Sequence, residues 1–141
     1  MDLSYAFLAD QAQVENGKVY VIGGGITVLW RTDYPAPMGV TVVVSFAYHN
    51  MEAGSERGFK LQINDADGHE VAPPLEGTFS LPPRQAHVPG SVPLDAAFAI
   101  NIAGNVPLIP GPGNYAIELM ADGNHVRTLP FAVAVPPSPA E

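Results

Sequence analysis

The chain has 141 residues, no cysteine and a formal net charge of −8. That length suits one domain, and a chain without cysteine builds neither a disulfide framework nor a thiolate metal site. Only six Lys and Arg are present and they form no cluster, which argues against nucleic acid or an anionic membrane as partner.

Met1-Asp2-Leu3-Ser4 lacks the basic region and long apolar run of a signal peptide. No stretch is apolar and unbroken enough for a transmembrane helix, so the expectation is a cytoplasmic protein. The charged fraction is 14%, against roughly 25% in an average soluble domain. Two readings fit: another subunit covers part of the surface, or Pro and Gly displace charge in the loops.

In chain order, strand periodicity wins throughout and helical periodicity is absent. Asn16-Gly17 supplies a two-residue hairpin loop that sets Glu15 against Lys18, Val14 against Val19 and Ala12 against Val21. One face of that hairpin is apolar, so it should be half-buried. Gly23-Gly24-Gly25 breaks the run before a strand over Ile26 to Arg31. Gly39 to His49 alternates with apolar residues on both faces, which predicts a central strand.

Asp67-Gly68 behaves differently. A two-residue loop would place Val71 on the polar face, whereas a three-residue loop, Ala66-Asp67-Gly68, pairs Asp65 with His69 and Ile63 with Val71. From Ala72 to Pro93 the chain is proline-rich and irregular, with a short strand at most over Thr78 to Leu81. Val92 to Ile102 alternates as a clear strand, and Gly111-Pro112-Gly113 turns into the last hairpin.

There Asp122-Gly123 pairs Leu119 with Val126, Glu118 with Arg127 and Ile117 with Thr128. Beyond Arg127 that register puts Phe131, Val133 and Val135 on the wrong face, and Pro130 is the expected cause. The whole reads as one domain over 1–135, with a disordered or extended tail over 136–141. The predicted fold is an all-β, antiparallel, immunoglobulin-like or related Greek-key sandwich of about eight to ten strands without substantial helix.

Two blocks carry a resemblance. Tyr5-Ala6-Phe7-Leu8-Ala9-Asp10, Gly17-Lys18 and Val21-Ile22-Gly23-Gly24-Gly25 are similar to the start of a family of small uncharacterised bacterial proteins. Gly113-x-Tyr115-x-Ile117-x-Leu119-x-x-Asp122-Gly123, with Pro130-Phe131-x-Val133, is similar to that family's last hairpin and to the end of many bacterial immunoglobulin-like domains. The resemblance implies the fold and carries no activity.

Candidate chemistry is sparse. Gly23-Gly24-Gly25 precedes a strand, whereas a phosphate cradle needs a helix N-terminus. Asn64 to Glu70 has the oxygen-rich start of a calcium loop, but its twelfth position is Leu75 and not a bidentate Glu. The histidines, His49, His69, His87 and His125, lack zinc spacing.

His49 lies near Glu52, the one local pair worth testing for hydrolase chemistry, and His125 should face outward beside Arg127. Ser45 sits inside a strand, and Ser4, Ser55, Ser80 and Ser91 lack a local base. Ser80-Leu81-Pro82-Pro83-Arg84 resembles a polyproline ligand, though a rigid loop or a contact arm explains it as well. The expectation is a non-enzymatic structural or accessory protein without catalytic, metal or cofactor residues, acting by protein contact in a homo-oligomer or larger assembly. The alternative is a module binding a sugar, lipid or calcium with loops at one end.

Overall fold

Eleven strands and one three-residue 3-10 turn (Asn50–Glu52) make up the secondary structure of a computed structural model that describes residues 1–102 and 107–137. The last four tail residues, 138–141, lie outside the described residues. The strands are β1 (Asp2–Glu15), β2 (Lys18–Gly24), β3 (Val28–Trp30), β4 (Ala36–Pro37), β5 (Thr41–Tyr48), β6 (Glu56–Asp65), β7 (Leu75–Ser80), β8 (Leu94–Asn101), β9 (Pro107–Ile109), β10 (Gly113–Ala121) and β11 (Asn124–Ala134). They form two curled sheets: a four-stranded sheet ordered β2-β1-β5-β8, and a five-stranded sheet ordered β3-β11-β10-β6-β7. β4 and β9 make a separate pair. The protein is therefore all-β.

One hydrophobic core lies between the sheets. Leu8, Val42, Val44 and Phe46 enter it from the four-stranded sheet; Leu61, Ile63, Ile117 and Phe131 enter it from the five-stranded sheet. Period-2 alternation makes this possible, since every second side chain of a strand points to the same face. Each such aliphatic contributes about 1.5–3 kcal/mol when fully buried. Four phenylalanines fasten one side of the core: Phe46 of β5 stacks on Phe79 of β7 at 5.3 Å, and Phe98 of β8 lies 4.8 Å from Phe79 and 5.3 Å from Phe59 of β6. A smaller cluster of Tyr48, Leu81 and Ala96 lies beside it.

The turn chemistry takes the form that the sequence requires. Asn16 and Gly17 have φ of 52° and 74°, Asp122 and Gly123 have 50° and 80°, and both loops contain two residues. Such paired positive φ values match the right-handed twist of the flanking strands. At the second hairpin Asp65 N–H donates to His69 O and Val71 N–H to Ile63 O, with Gly68 at φ 82°. The three-residue loop is therefore correct. β5 is central, and six of its eight residues from Thr41 through Phe46 are buried in succession.

Several expectations are corrected. The strand count is higher than eight to ten because β4 and β9 are too short to show a period. β3 runs parallel to β11, so the sheets are not wholly antiparallel. β7 begins at Leu75 instead of Thr78, and Val92 precedes β8 in a turn with its side chain exposed.

In the last hairpin the register shifts between Leu119 and Met120, so Leu119 faces Arg127, Glu118 faces Thr128 and Ile117 faces Leu129. The break is a bulge at Val126, four residues before Pro130. Pro130 itself sits in the ladder opposite Ala116. Ala132 N–H donates to Thr27 O on the β3 side. Pro130, two residues earlier, turns its missing donor the same way, off the β10 ladder, where a proline costs nothing.

The first hairpin holds its register, and Ala12, Val14 and Val19 are half-buried as expected, but Val21 is exposed. Tyr20, Val21 and Ile22 are 51%, 38% and 66% exposed, because β1 pairs β5 only from Asp2 to Ala9 and the hairpin continues past the sheet. Arg31 was not singled out by sequence. It donates from Nε to Pro37 O at 3.0 Å, from Nη1 to Trp30 O at 2.8 Å and from Nη2 to Met38 O, pinning the segment between β3 and β5.

Candidate functional site

Gly23, Gly24 and Gly25 carry the chain from the four-stranded sheet to the five-stranded one. Gly25 N–H donates to Leu8 O at 2.8 Å, and no helix follows. The triplet is a sheet crossing, and it lacks the helix N-terminus that a phosphate cradle uses.

Asp65, Asp67 and His69 bring ligand-type atoms within 4.8 Å of one another at the second hairpin's tip. Asp65 Oδ1, however, accepts from the N–H groups of Asp67 and His69 at 3.0 and 2.9 Å. The oxygen-rich letters serve the turn, as Asx side chains commonly do.

The His49–Glu52 contact is made by the His49 backbone N–H, which donates to Glu52 Oε1 at 3.1 Å. Glu52 also accepts from the Met1 ammonium at 3.0 Å and from Arg57 at 3.3 Å. Arg57 in turn holds Asp122, whose Oδ1 accepts from Gly58 N–H at 3.0 Å. This chain of charges ties the start of β1, the 3-10 turn, β6 and the β10–β11 turn together. The His49 backbone N–H, then the Met1 ammonium and Arg57, hold Glu52 below its ordinary 4.5. The Gly58 N–H and then Arg57 hold Asp122 below 3.8.

Folded pKa values that are depressed stabilise the fold above the unfolded pKa, and that contribution is lost as pH falls through the folded value. Tm of the wild type should therefore fall between about pH 5 and about pH 2 more steeply than that of the Glu52→Gln/Asp122→Asn double variant. Parallel Tm curves would show that these carboxylates do not drive acid unfolding.

His125 is outward, as expected, although Arg127, expected beside it, lies opposite Leu119. The His125 Nε2 lies 2.5 Å from Glu118 Oε2 and 3.0 Å from Thr128 Oγ1. Thr128 Oγ1 also donates directly to Glu118. The glutamate thus contacts both partners on an exposed face, unlike a relay in which the histidine separates acid and hydroxyl. Sequence did not show this cluster, because the bulge at Val126 sets which residues meet. Of the serines, Ser45 is buried in β5 and Ser55 bonds to Glu52 O and Arg57. No serine–histidine hydrogen bond exists among the described residues.

The proline loop is tied to its own domain. Leu81 is buried, Pro82 O accepts from the Tyr48 hydroxyl, and Arg84 Nη1 donates to Pro89 O and Val92 O at 2.9 and 2.6 Å. A docked polyproline ligand would need that arginine free, and His87 lies exposed beyond it.

What remains is a surface. Cross-strand partners share a face, so the side of the four-stranded sheet turned from the core runs from Tyr20 and Ile22 through Phe7 and Val43 to Ala97 and Ala99. Tyr5 stacks on Phe7 at 5.8 Å. Val43, between Phe7 and Ala99, is fully buried although it points outward. Charge appears only at the ends of this face: Glu15 and Lys18 at one, Asp2 and Asp95 at the other. At the hairpin end an open depression of about 550 Å³ is lined by Asp10, Gln11, Gln13, Tyr20, Thr41 and Asn101, among others.

Residues 4–134 match the profile of DUF6941, described as a family of unknown function. The chain belongs to DUF6941. The opening and closing blocks picked out by sequence both fall inside the matched span. No curated protein matches the chain. Among solved structures, this DUF6941 member is similar to the Pseudomonas fluorescens alkylpurine DNA glycosylase AlkC bound to DNA containing an abasic site analog. The identity is 12% and the TM-score 0.41, over 92% of this chain and 30% of that one. The chain thus spans less than a third of that enzyme's length, and the likeness is too slight to transfer anything.

Proposed function

We propose that this DUF6941 protein is a non-enzymatic structural or accessory component that works by protein contact within an assembly, built on an immunoglobulin-like Greek-key sandwich. The outer face of the four-stranded sheet is its working surface. One observation carries the reading: that face lacks charge across its middle, yet exposes Tyr20 and Ile22. A solvated sheet face ordinarily alternates to polar and charged residues, and an apolar patch rimmed by charge marks contact sites.

Protein suits the face better than nucleic acid, because Arg31, Arg57 and Arg84 bond to the chain's own groups. No helix among the described residues is long and apolar enough to cross a membrane.

Sedimentation from micromolar to millimolar concentration tests the reading. The wild type should show masses above that of a single chain, and Ile22→Asp should shift them downward without lowering Tm. A dispersed wild-type monomer throughout would overturn it.

A second reading rests on the depression beside Tyr20, where the Asp10 carboxylate and the amide side chains of Gln11, Gln13 and Asn101 surround an exposed aromatic ring, a setting suited to the hydroxyls of a sugar. Titration with neutral oligosaccharides should then move the NMR signals of Tyr20 and Gln13. Unmoved signals would remove this reading.

A further inference from the structure

β8 is an outer strand of the four-stranded sheet, paired on one side by β5. The direction of its free groups follows from one bond. Ile102 N–H donates to Val40 O at 3.0 Å, so even-numbered residues of β8 turn their backbone groups toward β5. The odd-numbered residues, Asp95, Ala97, Ala99 and Asn101, present N–H and C=O to the open side. No hydrogen bond among the described residues reaches them there.

The other edges carry devices that discourage pairing. β2 has Lys18 and ends on Gly23 and Gly24; β7 has Glu76 and Gly77; β3 has three residues; the open stretch of β11 presents Pro130. β8 has no proline, glycine or lysine, and Asp95 is its single charge.

We propose that β8 pairs antiparallel with β8 of a second copy about a two-fold axis perpendicular to the sheet, joining two four-stranded sheets into one of eight. This rests on the contact reading above and names its partner. Open groups bond only to open groups, so odd residues meet odd residues. The register centred on Phe98 engages all four odd residues of each copy, giving about eight N–H···O bonds. It sets Ala97 opposite Ala99, and Asp95 opposite Asn101 of the second copy.

That last pairing is the argument for a second copy as occupant. Each carboxylate meets an amide that can donate to it, and the two Asp95 side chains of a strongly acidic protein stay at opposite ends. A register centred on Ala97 engages only three odd residues and leaves Asp95 opposite Ala99. The joined sheet also doubles the uncharged outer face.

Two measurements on the full chain test this. Ala99→Pro removes a donor from the open side and leaves the β5 ladder intact, as Pro130 does in β11. Sedimentation of a folded Ala99→Pro protein should show the two-copy species lost. The chain has no cysteine, so Asp95→Cys with Asn101→Cys tests the register directly.

Six positions of extended strand separate those sites by roughly 20 Å, too far for a bridge within one chain. Oxidation should give a covalent dimer of the double variant and none of either single variant. If the wild type associates but the double variant stays uncrosslinked, or a folded Ala99→Pro protein keeps its two-copy species, the β8 pairing is overturned and the contact reading stands. A wild type monomeric at every concentration overturns both.

Discussion

Phe46→Ala should lower the free energy of unfolding by about 3–5 kcal/mol, the range for truncating a fully packed phenylalanine. Phe46 is 2% exposed and sits where the two sheets meet, stacked at 5.3 Å on Phe79 across the core and 6.2 Å from Phe98 beside it. Its removal leaves a cavity that β5 cannot collapse into, because β1 and β8 hold it on both sides. Since a whole domain is stable by only about 5–15 kcal/mol, the loss is a large fraction of the total. Urea unfolding should show a lower midpoint with an unchanged slope. A midpoint shift equivalent to under about 1 kcal/mol would mean that the four-phenylalanine cluster does not join the sheets.

The second large effect belongs to Gly23→Val. Gly23 has φ 66°, and a Cβ placed there would lie 2.2 Å from Asp10 Oδ2. A β-branched side chain pays twice: once for the left-handed backbone and once for displacing the carboxylate. The combined cost should be about 2–3 kcal/mol. Adding Asp10→Ala should recover the part due to the collision and leave the backbone part, so the two substitutions are coupled. Strict additivity in thermal unfolding would show that Asp10 plays no part in the crossing.

Local signals in this chain were legible because they are decided by one or two residues. Asn16-Gly17, Asp67-Gly68 and Asp122-Gly123 set their loop lengths through positive φ, and apolar letters on both faces of β5 placed it in the centre. The bulge at Val126 was visible only as a parity conflict between Ile117 and Phe131. Sequence assigned it to Pro130, since a missing donor is a local property and the direction it faces is not. That direction depends on β3, which pairs with β11 on the side away from β10.

The contact face was hidden for the same reason. Tyr20, Phe7, Val43 and Ala99 come from four strands, and only the ladders bring them to one side. Val21 is exposed on the face that alternation marks as apolar, because alternation specifies only which way a side chain points. It does not specify whether anything stands opposite.

The parallel pairing of β3 with β11 has a consequence for the order in which the chain becomes ordered. Val28 to Trp30 meet Ala132 to Ala134, roughly a hundred residues later, so this ladder closes one of the longest loops in the molecule. Neighbouring hairpins such as β1–β2 and β10–β11 close loops of two residues and can form early. On a ribosome, Leu29 therefore stays without its partner strand through most of synthesis. The five-stranded sheet gains its last strand only when β11 has emerged.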